Sequence, residues 1–335
     1  MTAPDLVIGI DGGGTCTRAT LATGEGVVLG CMDTAGCNYR SVGIGLAIER
    51  IELAVRGAFR AANRAFAPPA AMFVGAAGVN TAEDARTLGD ALCAAGLARP
   101  EQLAVANDSE NAHAAGLRGR PGVALICGTG SIALGRSAAG RSFICGGRGW
   151  VLDDAASGAW LGLQALRAVV RAIDGREPAT ALQTIVLKAL DLGGPEALVG
   201  RVYAAGFGAA EMARLAPFVL RAARQGDAVA RDILQRGATE AAKLVQAAAR
   251  GAGIAGATEV VLMGGVARSG PPYQPMIEAA IRRVLPPVTL VEPEMPPAIG
   301  AVIRALELAR VPITPAVIER LKQSAPAVSI PIAAG

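Results

Sequence analysis

Histidine occurs once in these 335 residues, tryptophan twice and tyrosine three times, and aromatic side chains make up 3% of the chain. With His113 alone and no cysteine pair spaced as C-x-x-C, a zinc site is not expected. His113 itself reads as helix surface or packing. So few aromatics offer little for bases to stack on, and no Lys/Arg run tracks a phosphate backbone, which excludes nucleic acid as a partner. The cysteines, Cys16, Cys31, Cys37, Cys93, Cys127 and Cys145, read as small buried hydrophobes in a reducing compartment. No stretch approaches about 18 uninterrupted apolar residues, so no membrane span is expected. Met1 to Ile10 has no basic region ahead of a long apolar run. The expectation is a cytoplasmic protein without a signal peptide.

Small residues are plentiful instead. Hydrophobic residues are 52% of the chain, with Ala prominent among them, and Gly numbers 43. Such a chain can build a large core from helices packed closely on sheets. Lys plus Arg is 32 against 28 for Asp plus Glu, a net charge of only +4. At about 100–200 residues per domain the length predicts two domains.

The first half opens on an apolar strand, Leu6–Ile10, and a glycine turn, Asp11-Gly12-Gly13-Gly14-Thr15. Alternation predicts strands at 17–23 and 27–32, and helical spacing predicts a helix over 43–66. A strand follows at Met72–Gly75. Thr81 to Asp84 fits a capping box opening a helix that Gly96 stops. A strand at 103–106 ends on Asn107-Asp108, before a short helix to Ala115. The second half begins alike: strand Val123–Cys127, glycine turn Gly128-Thr129-Gly130-Ser131, strands at 132–137 and 142–145. Helices are expected at 156–174, 179–190, 196–205, 209–224 and 227–252. A strand at 259–263 runs into Gly264-Gly265, followed by a helix at 273–284, a strand at 288–291 and a helix at 297–309. After Pro312 the prolines 312, 315, 326 and 331 predict an irregular tail. Two halves that each begin with a three-strand meander and a glycine turn imply a duplicated α/β unit.

Glycine turns expose main-chain N–H groups with no Cβ in the way, and successive N–H groups make an anion nest. Two such turns in matching contexts point to phosphate, with Thr15, Thr129 and Ser131 as hydroxyl donors. Asp11 beside one nest makes sense if Mg²⁺ stands between carboxylate and phosphate. No Gly-Lys-Ser/Thr follows, so this is not a P-loop, and a strand rather than a helix follows each turn, so it is not the dinucleotide fingerprint. Asp108, at a strand end, has two readings. It can accept the proton of an attacking hydroxyl, or it can cap the helix from Ser109. Asp154 closes a glycine run, 146–149, and could bind sugar hydroxyls or cap the next helix.

In combination these motifs resemble the actin-like ATPase superfamily, and within it the BadF/BadG/BcrA/BcrD-type family that includes N-acetylglucosamine and glucosamine kinases. The resemblance runs from about Val7 to Leu308. It rests on residues 10–15, Gly36-Cys37-Asn38, Asn107-Asp108, residues 128–131, Gly146-Gly147 with 157–162, Gly264-Gly265, and Pro297-Ala298-Ile299-Gly300-Ala301. It implies a two-lobed actin-like, ribonuclease H-like α/β fold with a duplicated mixed β-sheet covered by helices. The lobes would be 1–116 with 297–312, and 117–296, with 313–335 as the irregular tail. It implies ATP and Mg²⁺ as cofactors. Asp11, Gly12, Gly13, Gly14 and Thr15 would form the first phosphate loop, with Asp11 near the metal. Gly128, Thr129, Gly130 and Ser131 would form the second, and Gly264 and Gly265 the adenosine loop. Asp108 would be the base acting on a sugar 6-hydroxyl, with Asn38, Gly147 and Asp154 on the sugar. The implied partner is a small-molecule amino-sugar, and the likeness leans toward a homodimer.

Three departures fall around the expected sugar place. The family's Gly-Gly-Trp-Gly is here Gly-Gly-Arg-Gly, with Arg148 for Trp. Its Gly-Asp-Glu-Gly-Ser is here Asp153-Asp154-Ala155-Ala156-Ser157. Ala77 stands where N-acetylglucosamine kinases tend to have Ser. The Asp153/Asp154 pair tilts the expectation toward a cationic 2-amine, hence glucosamine. Alternatives are a dehydratase activator with a cysteine-held iron–sulfur cluster, a non-catalytic sugar sensor, and a kinase for N-acetylmuramic acid or a plain hexose.

Overall fold

The computed structural model describes residues 6–285 and 287–325. These divide into two compact units, one of 6–120 with 292–325 and one of 121–285 with 287–291.

The first unit is a mixed sheet in the order β3-β2-β1-β4-β5. Its strands are β1 (Leu6–Gly12), β2 (Cys16–Thr23), β3 (Val28–Ala35), β4 (Ala71–Ala76) and β5 (Leu103–Ala106). β1 pairs antiparallel with β2, Gly12 opposite Thr17, and parallel with β4. Both sheet faces are covered, so the central strands read as continuous apolar runs rather than alternating ones. Ile8, Ile10, Met72 and Val74 face a core built with α1 (Tyr39–Val42), α2 (Ile44–Ala61) and α3 (Ala82–Ala94). Val7, Ala71 and Phe73 face the opposite core. That core is closed by α4 (Ser109–Leu117) and by the chain's return at residue 292.

The second unit repeats the plan in the order β10-β9-β6-β7-β8. Its meander is β6 (Gly122–Cys127), β7 (Ser131–Arg136) and β8 (Ser142–Gly146). The helices α5 (Gly158–Ile173), α6 (Leu182–Ala189), α7 (Leu198–Val202), α8 (Ala209–Ala213), α9 (Ala216–Arg224) and α10 (Ala228–Ala252) follow, then β9 (Thr258–Met263), α11 (Tyr273–Val284) and β10 (Val288–Val291). β6 pairs antiparallel with β7 and parallel with β9, as β1 does with β2 and β4. Matching strand order and pairing make the two sheets a duplication.

The return adds α12 (Pro297–Leu308) and α13 (Pro315–Ser324) to the first unit. α12 lies so close to β1 that a Cβ on Gly9 would fall 2.3 Å from the Val302 nitrogen. The expected irregular tail from 313 is therefore corrected over 315–324. Pro315 takes the first helical turn, where its missing N–H costs nothing, and the Thr314 hydroxyl accepts the Val317 N–H at 3.3 Å. Pro326 and Pro331 lie outside the described residues. Proline also divides the helix expected at 209–224: α8 ends at Ala213 and α9 restarts with Pro217 in its first turn. The helix expected over 43–66 is α2, which stops at Ala61, and of 196–205 only α7 is α-helical. Among the described residues no helix is long and apolar enough to cross a membrane.

Candidate active site

In the first unit the strand ends of β1, β4 and β5 gather the expected residues. The turn 11–15 closes with the Gly13 N–H donating to the Cys16 carbonyl at 2.8 Å. Gly36 packs on Gly14, where a Cβ would fall 2.2 Å from the Gly14 carbonyl oxygen. The Cys37 N–H donates to the Gly13 carbonyl and the Ala77 N–H to the Gly12 carbonyl, at 3.2 and 2.7 Å. Gly14 and Thr15 are exposed. Their N–H groups carry no hydrogen bond within the described residues, as an anion nest requires.

Asp11, next to last in β1, has its Oδ1 accepting from Asn111 Nδ2 at 2.9 Å. Burial pushes its carboxyl up to about 6, and the Asp108 charge adds to the rise, while the Asn111 hydrogen bond and Arg18 oppose it. Asp108 stands at the N-cap position of α4 but makes no side-chain capping bond. The neighbouring Asn107 does that work, its Oδ1 accepting the Ser109 N–H at 3.0 Å. The Asp108 carboxyl is raised above its ordinary range, chiefly by burial, against the pull of nearby main-chain N–H groups. The capping reading of Asp108 thus gives way to a carboxylate held at the strand end.

Asn107 Nδ2 donates to the Val79 carbonyl and to Asn80 Oδ1, at 3.0 and 3.2 Å, tying Asp108 to the 77–80 loop. Asn38 touches the same loop: its Oδ1 accepts the Arg40 N–H, and a Cβ on Gly78 (φ 90°) would fall 2.4 Å from it. Arg40 and Tyr39 both bond Asp84 and hold its carboxyl well below the usual range. Asp84 also accepts the Asn80 and Thr81 N–H groups at 2.9 Å. Sequence reasoning saw Asp84 only as half of a capping box, whereas it braces both loops beside Asp108.

In the second unit the other expected residues gather around the turn 128–131. Thr129 is exposed. Ser131 is buried and its hydroxyl donates to the Ala155 carbonyl at 2.6 Å. Gly147 (φ 67°) donates its N–H to the Ser131 carbonyl at 2.8 Å. Asp154 is buried against Gly130, where a Cβ would fall 2.8 Å from its Oδ2. Burial raises its carboxyl, and the Ser131 and Gly149 N–H groups counter that. Asp154 therefore faces this turn. Both Asp154 and Ala156 have positive φ, 52° and 73°, a cost of roughly 1–2 kcal/mol for a residue with a Cβ. Gly264 (φ 85°) packs on the end of β6, a Cβ there falling 2.3 Å from the Cys127 carbonyl oxygen, which accepts the Val266 and Ala267 N–H groups. The Gly264-Gly265 turn thus adjoins the second glycine turn.

Among the described residues no group of three or more His, Cys, Asp or Glu side chains gathers as a metal cage. Asp11 suits a cation that keeps its waters and takes few carboxylates, as Mg²⁺ does, because burial and Asp108 both leave its charge in need of neutralisation. Cys127 is buried in β6 with its thiol pushed up to about 12, unsuited to serve as a thiolate ligand. His113 is buried within α4, so packing is its place. Asn111 was not anticipated. Its only signal is its place three residues after Asp108 on a short helix.

The sequence model of the BadF/BadG/BcrA/BcrD ATPase family matches residues 8–305, and the chain belongs to that family. It is 33% identical over 236 residues to the N-acetylmuramic acid/N-acetylglucosamine kinase of Clostridium acetobutylicum, covering 70% of this chain and 76% of that one. Over 314 residues it is 28% identical to the N-acetyl-D-glucosamine kinase of Dictyostelium discoideum, covering 90% and 98%. A Chromobacterium violaceum protein solved as a candidate N-acetylglucosamine kinase superposes with a TM-score of 0.71 at 28% identity, covering 91% of this chain and all of that one. A ROK family glucokinase from Streptomyces griseus, solved with glucose and AMPPNP, shares the fold at TM-score 0.56 and 20% identity, covering 91% and 99%. The fold is the two-lobed α/β fold of actin-like sugar kinases.

Proposed function

We propose that this chain transfers the γ-phosphoryl group of ATP to the 6-hydroxyl of an N-acetylated amino-sugar, with Asp108 as general base. The observation that carries the reading is the Asp108 carboxylate, free of capping duty because Asn107 caps α4, and near enough to Asp11 to raise its carboxyl. A carboxylate with a raised pKa is a better proton acceptor than an ordinary one. Asp108 takes the hydroxyl proton as the sugar oxygen bonds to phosphorus and the bond to the ADP oxygen breaks. The N–H groups of Gly14 and Thr15 form one phosphate nest in the first unit, and the turn 128–130 with Thr129 forms another in the second. Mg²⁺ bound at Asp11 would supply charge neutralisation to those oxygens. Asn38 and the braced 77–80 loop orient the sugar, and Gly264-Gly265 would lie against adenine.

The N-acetylated class is favoured over glucosamine for two reasons. The named relatives are N-acetylhexosamine kinases. Asp154 is also engaged by main-chain N–H groups at the second turn, rather than paired outward with Asp153 toward an ammonium.

The test is purified protein with MgATP and N-acetylglucosamine, N-acetylmuramic acid, glucosamine or glucose, reading ADP release and the mass of the sugar product. N-acetylmuramic acid belongs in the panel because the Clostridium acetobutylicum relative is described as acting on both N-acetyl sugars. Turnover is expected with an N-acetyl sugar, and Asp108→Asn is expected to lose about 10²–10⁴ in kcat. Near-full activity of that variant would remove Asp108 as the base. Absence of turnover with every amino-sugar would leave the sensor reading.

A further inference from the structure

Asn111 is wholly buried, one turn into α4. Its Nδ2 lies 2.9 Å from Asp11 Oδ1, 3.1 Å from the Gly75 carbonyl oxygen and 3.3 Å from the Ile10 carbonyl oxygen. One amide NH₂ has two protons, so these three acceptors share them, and the amide has one tenable orientation. Reversed, its oxygen would face a carboxylate and two carbonyls. The leftover Oδ1 is buried without a hydrogen-bond partner. Such an orphan is costly, and it persists where something else over-determines the side chain. Here the surroundings are shaped to it. A Cβ on Gly75 would fall 2.2 Å from Oδ1, and one on Gly300 of α12 would fall 1.8 Å from the Asn111 carbonyl oxygen. The Asn111 N–H meanwhile donates to the Asp108 carbonyl at 3.1 Å. One residue is therefore tied by its side chain to Asp11 and by its main chain to Asp108.

We propose that Asn111 is a positioning residue: it holds the Asp11 carboxylate in one orientation toward a divalent cation and fixes that carboxylate to the helix that carries Asp108. The inference rests on the reading of Asp11 as the cation's carboxylate. Hydrogen-bond partners behind a metal ligand commonly govern affinity as strongly as 10–100-fold.

The test follows free Mn²⁺ by electron paramagnetic resonance during titration into protein with ADP, alongside ADP binding without metal. Asn111→Ala is expected to weaken Mn²⁺ binding about 10–100-fold and to leave metal-free ADP binding within about two-fold. Asn111→Ser, which keeps a small polar group but cannot span to Asp11, carries the same expectation if the alanine variant does not fold. Asp11→Ala should also weaken Mn²⁺ binding, and adding Asn111→Ala to it should cost nothing more, because the two act as one unit. Unchanged Mn²⁺ binding in Asp11→Ala would overturn the underlying reading of Asp11. Loss in Asp11→Ala with no loss in folded Asn111 variants, or losses that simply add in the double variant, would overturn the role of Asn111 alone.

Discussion

Burial raises the Asp11 carboxyl from its ordinary 3.8 to about 6 in the folded protein. Its folded pKa is raised, so between these values the folded chain holds more protons than the unfolded one. Stability therefore falls as pH rises through that window and stays lower above it. At about 1.4 kcal/mol per unit, the cost at pH 7 without a cation reaches up to about 3 kcal/mol. Asp11→Asn is expected to raise the melting temperature of the cation-free protein at pH 7 while abolishing phosphoryl transfer; a lower melting temperature with activity intact would contradict this. Sequence alone left Asp108 divided between cap and base, because Asn, Asp and Ser all cap well. Only coordinates show that Asn107 takes the cap. Asn111 escaped notice for a related reason: a lone Asn inside a short helix has no pattern until its fold neighbours are known.

The helix pair α4 and α12 depends on missing side chains. A methyl at residue 300 would sit 1.8 Å from the Asn111 carbonyl oxygen, so Gly300→Ala must push α4 away from α12. Overpacking of this kind costs typically 1–3 kcal/mol. Asp108 starts α4, so kcat should drop at least ten-fold while KM for ATP changes little, measured by steady-state kinetics beside a thermal melt. Wild-type kcat in a folded Gly300→Ala protein would show that α4 tolerates the shift. The helical periodicity that revealed α2 is absent from α4 because all nine of its residues are buried. Its ends were legible all the same, since Asn107-Asp108 precedes it. Proline misled in both directions. Pro217 restarts a helix that spacing alone joined, and Pro315 opens one where a cluster of prolines suggested none.

The doubled plan was readable because both glycine turns fall at the same place in a meander, and β3-β2-β1-β4-β5 matches β8-β7-β6-β9-β10 strand for strand. The tail was not readable, because α13 is defined by what it covers. Val317, Ile318 and Leu321 are buried in the first unit, Gly26 lies under Val317, and the Ser324 hydroxyl accepts the Val28 N–H at 2.9 Å. Ending the chain after residue 313 is expected to cost on the order of 2 kcal/mol net, about 4–8 °C in melting temperature for a unit of this size. Calorimetry checks it, and an unchanged melting profile would make α13 dispensable.

The Gly9 contact with Val302 joins segments made far apart in time. β1 is made well before α12, which covers Val7 and Phe73 and follows nearly 300 residues later. At roughly 5–20 residues per second that face waits about 15–60 s of translation for α12, with α4 alone available to it meanwhile. The stretch from 121 to 291 can complete its own sheet first. The sheet that opens this sequence therefore waits for α12 until after the whole stretch of the second unit has been made.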